Sequence, residues 1–304
     1  MDAPFAVLAR CGGIQEPEPR EQAMASEKDH IDGKVIIVTG AGGGFGRLVS
    51  QKAAARGASI VAADVNEDAV NETVDLVTAA GGRAEAVVAD VTRKADLDQA
   101  AAIAVERFGA IDVMINNAGI MPLAFFADHE RAWEAWDRAI DINLKGVVHG
   151  IAAVYDQMLS QGRGHIVNIS SIYGNRGVAG AGVYSATKAA VAVLSDALRV
   201  EAQGKIKVTT VRPTGVPATG LGLSVINYEA TVGITGQNMP RFGEKLGSWL
   251  GGELSAAELD PDDAAYWTIS PDELADQIVA VIDMPWGVTI SDITVRATGE
   301  DYVL

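Results

Sequence analysis

The chain has 304 residues, 48% of them hydrophobic and 21% charged, enough apolar material for one large α/β domain or two modest ones and too much for wholesale disorder. A formal net charge of −16 argues against nucleic acid, whose phosphates it would repel, and against an anionic membrane surface, so this acidity reads as solubility. Cys11 is the only cysteine and the four histidines are scattered, which excludes intrachain disulfides and thiolate zinc clusters and leaves no metal site to expect.

In chain order, residues 1–32 lack sustained periodicity and carry Glu16-Pro17-Glu18-Pro19, the text of a flexible N-terminal extension. They hold no apolar run suited to a signal peptide, and no stretch of the chain approaches the roughly 20 apolar residues of a membrane span; a cytoplasmic location is expected. From Gly33 the pattern changes. Val35–Val38 is a buried-strand run that ends at once in glycines. Further strand candidates follow at Ser59–Ala63, Ala84–Ala89, Ile111–Ile115, Gly164–Ile169, Lys207–Val211 and Ile290–Val295. Helical stretches lie between them at Phe45–Arg56, Glu67–Ala80, Ala95–Phe108, Trp133–Gln161, Tyr184–Gln203 and Glu273–Ile282. Strands alternating with helices of this length predict a single doubly wound α/β domain over residues 33–304, with a parallel seven-stranded sheet and helices on both faces. Only Thr219–Ser270 breaks the rhythm, and a connection that long in a compact domain is usually functional or disordered.

The first strand runs into Thr39-Gly40-Ala41-Gly42-Gly43-Gly44-Phe45-Gly46. Glycines there let the backbone turn sharply and approach a pyrophosphate, which the free N–H groups and dipole of the following helix stabilise. The spacing is T-G-x-x-x-G-x-G, through Thr39, Gly40, Gly44 and Gly46; a flexible ligand-free turn is the plainer alternative. Asp64, followed by Val65, closes the second strand, 24 residues after Gly40. A carboxylate at that point can accept both hydroxyls of an adenosine ribose and would repel a 2′-phosphate, so NAD is expected over NADP; the simpler role for Asp64 is a helix cap.

Five further features follow in order: Asp90-Val91 after the third strand, Asn116-Asn117-Ala118-Gly119 after the fourth, Asn143 within Asp141–Gly146, Ser170-Ser171 ending the fifth, and Tyr184-Ser185-Ala186-Thr187-Lys188. Of six tyrosines only Tyr184 has a lysine four residues on, and Ser171 precedes it by thirteen positions. Together these resemble the short-chain dehydrogenase/reductase family over about Gly33–Val295, in its short, NAD-preferring branch. The resemblance implies a Rossmann fold and hydride transfer between NAD and a secondary alcohol or ketone. It implies Asn143, Ser171, Tyr184 and Lys188 as catalytic residues. Cofactor contacts implied by the turn and the resemblance are Gly40, Gly44, Phe45, Gly46, Asp64, Val65, Asp90, Val91, Asn117, Ala118, Gly119, Tyr184, Lys188, Pro213 and Val216.

A phenol titrates near 10 in water, and Lys188 shares a helix face with Tyr184, so the expectation is an ammonium that lowers the phenol's pKa and makes it an acid and base near neutrality. Ser171 would donate to the substrate oxygen, and Asn143 would anchor a water connecting Lys188 to solvent. For Asn143 the alternative is an asparagine that satisfies backbone, and both roles can coexist. After the sixth strand, Arg212–Thr219 departs from the family's P-G-x-V-x-T: Thr214 takes the glycine position, and Thr219 comes one residue late, leaving its contact with cofactor open. Residues 216–270 fall where the family keeps its substrate lid, and their apolar side chains fit a lid over an apolar substrate, or equally oligomer packing or core. A homodimer or homotetramer is implied by resemblance alone. Gly40, Gly43 and Gly46 also satisfy the T-G-x-x-G-x-x-G of the extended, sugar-nucleotide branch, so an epimerase or dehydratase is the second reading, and a catalytically silent NAD-binding scaffold the third.

Overall fold

A computed structural model describes residues 29–217 and 219–304, so the extension expected over residues 1–32 lies almost wholly outside the described residues. Seven strands form one all-parallel sheet in the order β3-β2-β1-β4-β5-β6-β7. They are β1 (Val35–Thr39), β2 (Ser59–Asp64), β3 (Arg83–Val88), β4 (Val113–Asn116), β5 (Gly164–Ile169), β6 (Ile206–Pro213) and β7 (Asp292–Val295). Each strand expected from the sequence is present, with no end shifted by more than two residues.

Alternation along β1 shows why the sheet needs cover on both faces. Ile36 and Val38 join one core, Val35 and Ile37 the other, and all four are buried. The first core is closed by α1 (Gly44–Ala55) and by the late helix Pro271–Ile282, through Val49, Ala53, Leu274, Ile278 and Ile282. The second is closed by α3 (Lys94–Phe108) and α5 (Gly146–Gln161), through Leu97, Ala100, Ala104, Val154 and Met158. Each such aliphatic side chain contributes roughly 1.5–3 kcal/mol by leaving water. Local chemistry sets the helix ends. Ser270 accepts from Glu273 N while Glu273 reaches back to Ser270 N, with Pro271 in the first turn, a capping box that starts the late helix. Asn66 caps α2 (Glu67–Ala79) by accepting from Ala69 N at 3.1 Å.

One expected element is different. The helix expected over Trp133–Gln161 is instead α4 (His129–Ile140), a π-helical turn at Asp141–Lys145, and then α5. The long connection before the late helix also has structure of its own, chiefly Met239–Gly251 as a helix. Strand order reverses between β1 and β4, so the crevice beyond their carboxyl ends is where an open α/β sheet takes its ligand. Among the described residues no helix is long and apolar enough to cross a membrane.

Candidate active site

The glycine-rich turn and the Asn116–Gly119 segment are stitched together at that crevice. Asn117 Nδ2 donates to the carbonyls of Thr39 (2.8 Å) and Gly40 (3.1 Å), while Thr39 Oγ1 accepts from the amides of Asn117 (3.0 Å) and Ala118 (3.2 Å). Three glycines are required by geometry. Gly40 and Gly44 have φ +65° and +51°, and a Cβ on Gly46 would stand 2.3 Å from the Gly40 carbonyl oxygen. Nothing lies within 4 Å of where a Cβ on Gly43 would be, so the turn's outer side is open.

From this turn a cleft of about 390 Å³ runs along the carboxyl ends of β1–β4, lined among others by Gly40, Asp64, Val65, Asp90, Val91, Ala118 and Gly119. Asp64 stands at its rim, accepting from Gly42 N and Asn66 N, both at 2.9 Å. Arg47, the cation that follows the turn, is spent on the carbonyls of Gly42 and Ala69, on Thr73 and on Glu72. Asp90 accepts from the amide and hydroxyl of Thr92. Phe45 faces the first core, Pro213 ends β6 and Val216 lies just beyond it. Thr219 comes within 3.8 Å of where a Cβ on Gly44 would be, and its hydroxyl donates to the Val216 carbonyl. Ile120, Arg138 and Ile142 also line the cleft; sequence reasoning missed them, although two flank the Asn116–Gly119 and Asn143 motifs directly.

The four side chains expected to act in catalysis come from three separate segments. Asn143 is fully buried in the π turn; its Oδ1 accepts from Ile120 N (2.9 Å), and its Nδ2 donates to the Ile120 carbonyl (2.8 Å) and to Thr187 Oγ1 (3.3 Å). The backbone-satisfying role weighed for it is therefore present. Lys188, on α6 (Gly182–Glu201), sends its ammonium to the Ile169 carbonyl at 2.9 Å. A Cβ on Gly119 would meet Asn143 Oδ1 at 3.2 Å and Lys188 Nζ at 3.4 Å, so Gly119 is the point where the two converge. Ser170 donates to the Lys188 carbonyl at 2.7 Å and so is committed to packing, whereas Ser171 lies beside the Tyr184 phenol.

The electrostatics depart from expectation. Burial pushes the Tyr184 phenol up to about 12, with the adjacent Ser171 hydroxyl pulling it down, and burial pushes the Lys188 ammonium down to about 8. The ammonium sits 5.9 Å from the Tyr184 ring centre and is aimed at a backbone carbonyl, so desolvation outweighs the expected charge effect on the phenol. Tyr184 is 3% exposed and packs in an apolar cluster with Leu123, Ile172, Tyr173, Ala230 and Ile234. Two of those residues belong to the connection after β6. Ser224 of the same connection accepts from Met121 N at 2.7 Å, and Leu123 O accepts from Ile226 N and Asn227 N.

The short chain dehydrogenase family pattern matches residues 34–226. An uncharacterized oxidoreductase of Listeria monocytogenes is 33% identical over 90% of this chain and 99% of its own. Among solved structures, a 7 alpha-hydroxysteroid dehydrogenase complexed with NADH and 7-oxo glycochenodeoxycholic acid superimposes with a TM-score of 0.71 at 26% identity, covering 89% of this chain and 96% of that one. A short chain dehydrogenase/reductase from Burkholderia phymatum in complex with NAD gives 0.69 at 28% identity, covering 88% and 90%. On the sheet order, the stitched glycine turn and these likenesses, the chain belongs to the short-chain dehydrogenase family of oxidoreductases.

Proposed function

We propose that this oxidoreductase transfers a hydride between NAD(H) and a secondary alcohol or ketone bearing an apolar substituent, with Tyr184 as the proton donor in reduction and acceptor in oxidation. The observation that carries the reading is that Lys188 and Asn143 meet at Gly119, which lines the cleft, while Ser171 lies beside the Tyr184 phenol and the Lys188 ammonium stands 5.9 Å from the Tyr184 ring centre.

The cleft fits a dinucleotide. Open backbone at Gly43 and the N-terminus of α1 suit a diphosphate, and Asp64 at the rim suits a ribose diol rather than a phosphate ester. NADH and 7-oxo glycochenodeoxycholic acid occupy the hydroxysteroid dehydrogenase relative, and NAD the Burkholderia one, which favours the same cofactor class here. When bound, NAD(H) supplies or takes up the hydride. Gly40, Gly44, Phe45, Gly46, Val65, Asp90, Val91, Asn117, Ala118, Gly119, Pro213 and Val216 would hold it, with Thr219 opposite Gly44 as a further contact.

Tyr184 holds its proton at neutral pH, the state a donor to a nascent alkoxide needs. Ser171 orients the substrate oxygen beside that phenol and stabilises charge as it grows there. Lys188, with an ammonium brought down to about 8, can both hold a ribose hydroxyl and return a proton toward Tyr184. Asn143 fixes the Ile120 peptide and thereby the wall next to Lys188. The connection over residues 216–270 serves as the lid that excludes water, its Ala230 and Ile234 already packed on the Tyr184 cluster. Tyr184→Phe, which keeps the ring and removes the proton, should reduce kcat by at least about 10³-fold while the Kd for NADH stays within about threefold. The measurement is nicotinamide absorbance against a panel of ketones, with NADH fluorescence titration alongside. Near-normal turnover in the variant refutes the assignment.

A further inference from the structure

The last residues of the chain return to the wall of this site. Asp301 is buried; its carboxylate pairs with Arg241 and accepts from Trp267 Nε1 at 2.9 Å, and its carbonyl accepts from Asn238 Nδ2 at 3.0 Å. Two residues on, Val303 N donates to the Ile234 carbonyl at 2.9 Å. These bonds clamp both sides of Tyr302 and fix its ring, which stacks at a tilt 6.0 Å from Phe242. The ring packs on the same cluster as Leu123, Tyr173 and Tyr184. A Cβ on Gly215 would stand 2.8 Å from the Tyr302 hydroxyl, which explains why that position, between Pro213 and Val216, carries no side chain. The hydroxyl makes no hydrogen bond among the described residues. Burial, with Glu300 and Tyr184 near, holds it protonated far above neutrality, so it is a permanent donor.

A phenol pinned this firmly has paid its conformational entropy before any ligand arrives, and leaving its O–H unpaired beside an apolar wall is unfavourable. A substrate oxygen that satisfies it would be selected over a hydrocarbon of the same shape. We infer that Tyr302 is a specificity-determining residue, donating a hydrogen bond to a second oxygen on the substrate, so that the preferred class is ketones carrying a further hydroxyl or carbonyl on an otherwise apolar frame.

This rests on the hydride-transfer reading, and the two are separable. The test is kcat/KM with NADH or NADPH for positional isomers of hydroxycyclohexanone, each paired with the methylcyclohexanone of the same substitution pattern, in wild type, Tyr302→Phe and Tyr184→Phe. Wild type should favour one hydroxy ketone over its methyl partner by about tenfold or more. Tyr302→Phe should bring that ratio to within about threefold of unity by losing activity on the hydroxy ketone alone, with the methyl ketone and the Kd for NADH unchanged. Equal loss on both partners, or an unaltered ratio, overturns the Tyr302 assignment and leaves the hydride-transfer reading standing. Turnover that survives Tyr184→Phe overturns the proton-donor role alone. No turnover of any member by wild type with either cofactor overturns both.

Discussion

At the scale of single residues, the proposed preference for NAD would rest on Asp64. Its two oxygens are already engaged by the amides of Gly42 and Asn66, so the carboxylate is held at the cleft rim in one orientation rather than swinging free. Held there, it favours a diol and opposes a phosphate dianion at the same spot. Arg47, which could have offset that opposition, is turned toward Glu72 and two carbonyls. Asp64→Arg should therefore move the ratio of kcat/KM for NAD over NADP toward NADP by about 10–100-fold, each tenfold being about 1.4 kcal/mol. Steady-state kinetics with both cofactors checks this, and an unchanged ratio would mean that the ribose is read elsewhere. Much at this scale is legible from spacing, because Gly40 and Gly46 are demanded by close approach, Gly44 by its positive φ, and a motif records backbone demands directly. Tyr302 is not legible: it lies 118 residues beyond Tyr184, in no motif, and only the folded tail brings it to the site. Nor is the balance between burial and charge at Tyr184, since desolvation depends on packing from Leu123, Ala230 and Ile234.

At the scale of elements, the strands could be read because each is a short apolar run ending in a turn, and burial on both faces demands that composition. The π turn between α4 and α5 left no such mark. One extra residue in a helical ladder keeps the apolar periodicity nearly intact on either side, so the text reads as one long helix. Its effect is local: it carries Asn143 inward, where that side chain takes both the amide and the carbonyl of Ile120. Asn143→Ala strands both backbone groups in a part-buried setting. The expected outcome is a stability loss of about 1–3 kcal/mol by urea titration, accompanied by a fall in kcat that exceeds any change in KM. Asn143→Leu should be worse still, for want of space. If Asn143→Ala keeps wild-type stability, the Ile120 peptide is being held by something other than this side chain.

At the scale of the whole molecule, the site is assembled at the expense of folding stability. Lys188 is 4% exposed and directed at a lone carbonyl oxygen, with burial as the cause of its displaced titration. Its folded pKa of about 8 lies below the ordinary value of 10.5, so the unfolded chain is the better proton binder between those limits. Stability therefore rises with pH across that window, and below about pH 8 the full penalty of burying the ammonium is present. Replacing the lysine with an apolar side chain of similar length should release that penalty, as with other charged groups kept in cores for function. Lys188→Met is expected to abolish hydride transfer yet stabilise the cofactor-free protein at pH 7 by about 1–3 kcal/mol, the lost bond to Ile169 offsetting part of the gain. The gain should shrink as pH climbs toward 10, where the wild-type amine is neutral in the folded state. Urea midpoints for both proteins at pH 7 and pH 9.5 measure it. A variant less stable than wild type at pH 7, or a difference that does not narrow with pH, would show that the ammonium is accommodated without cost and that the site carries no such trade between stability and chemistry.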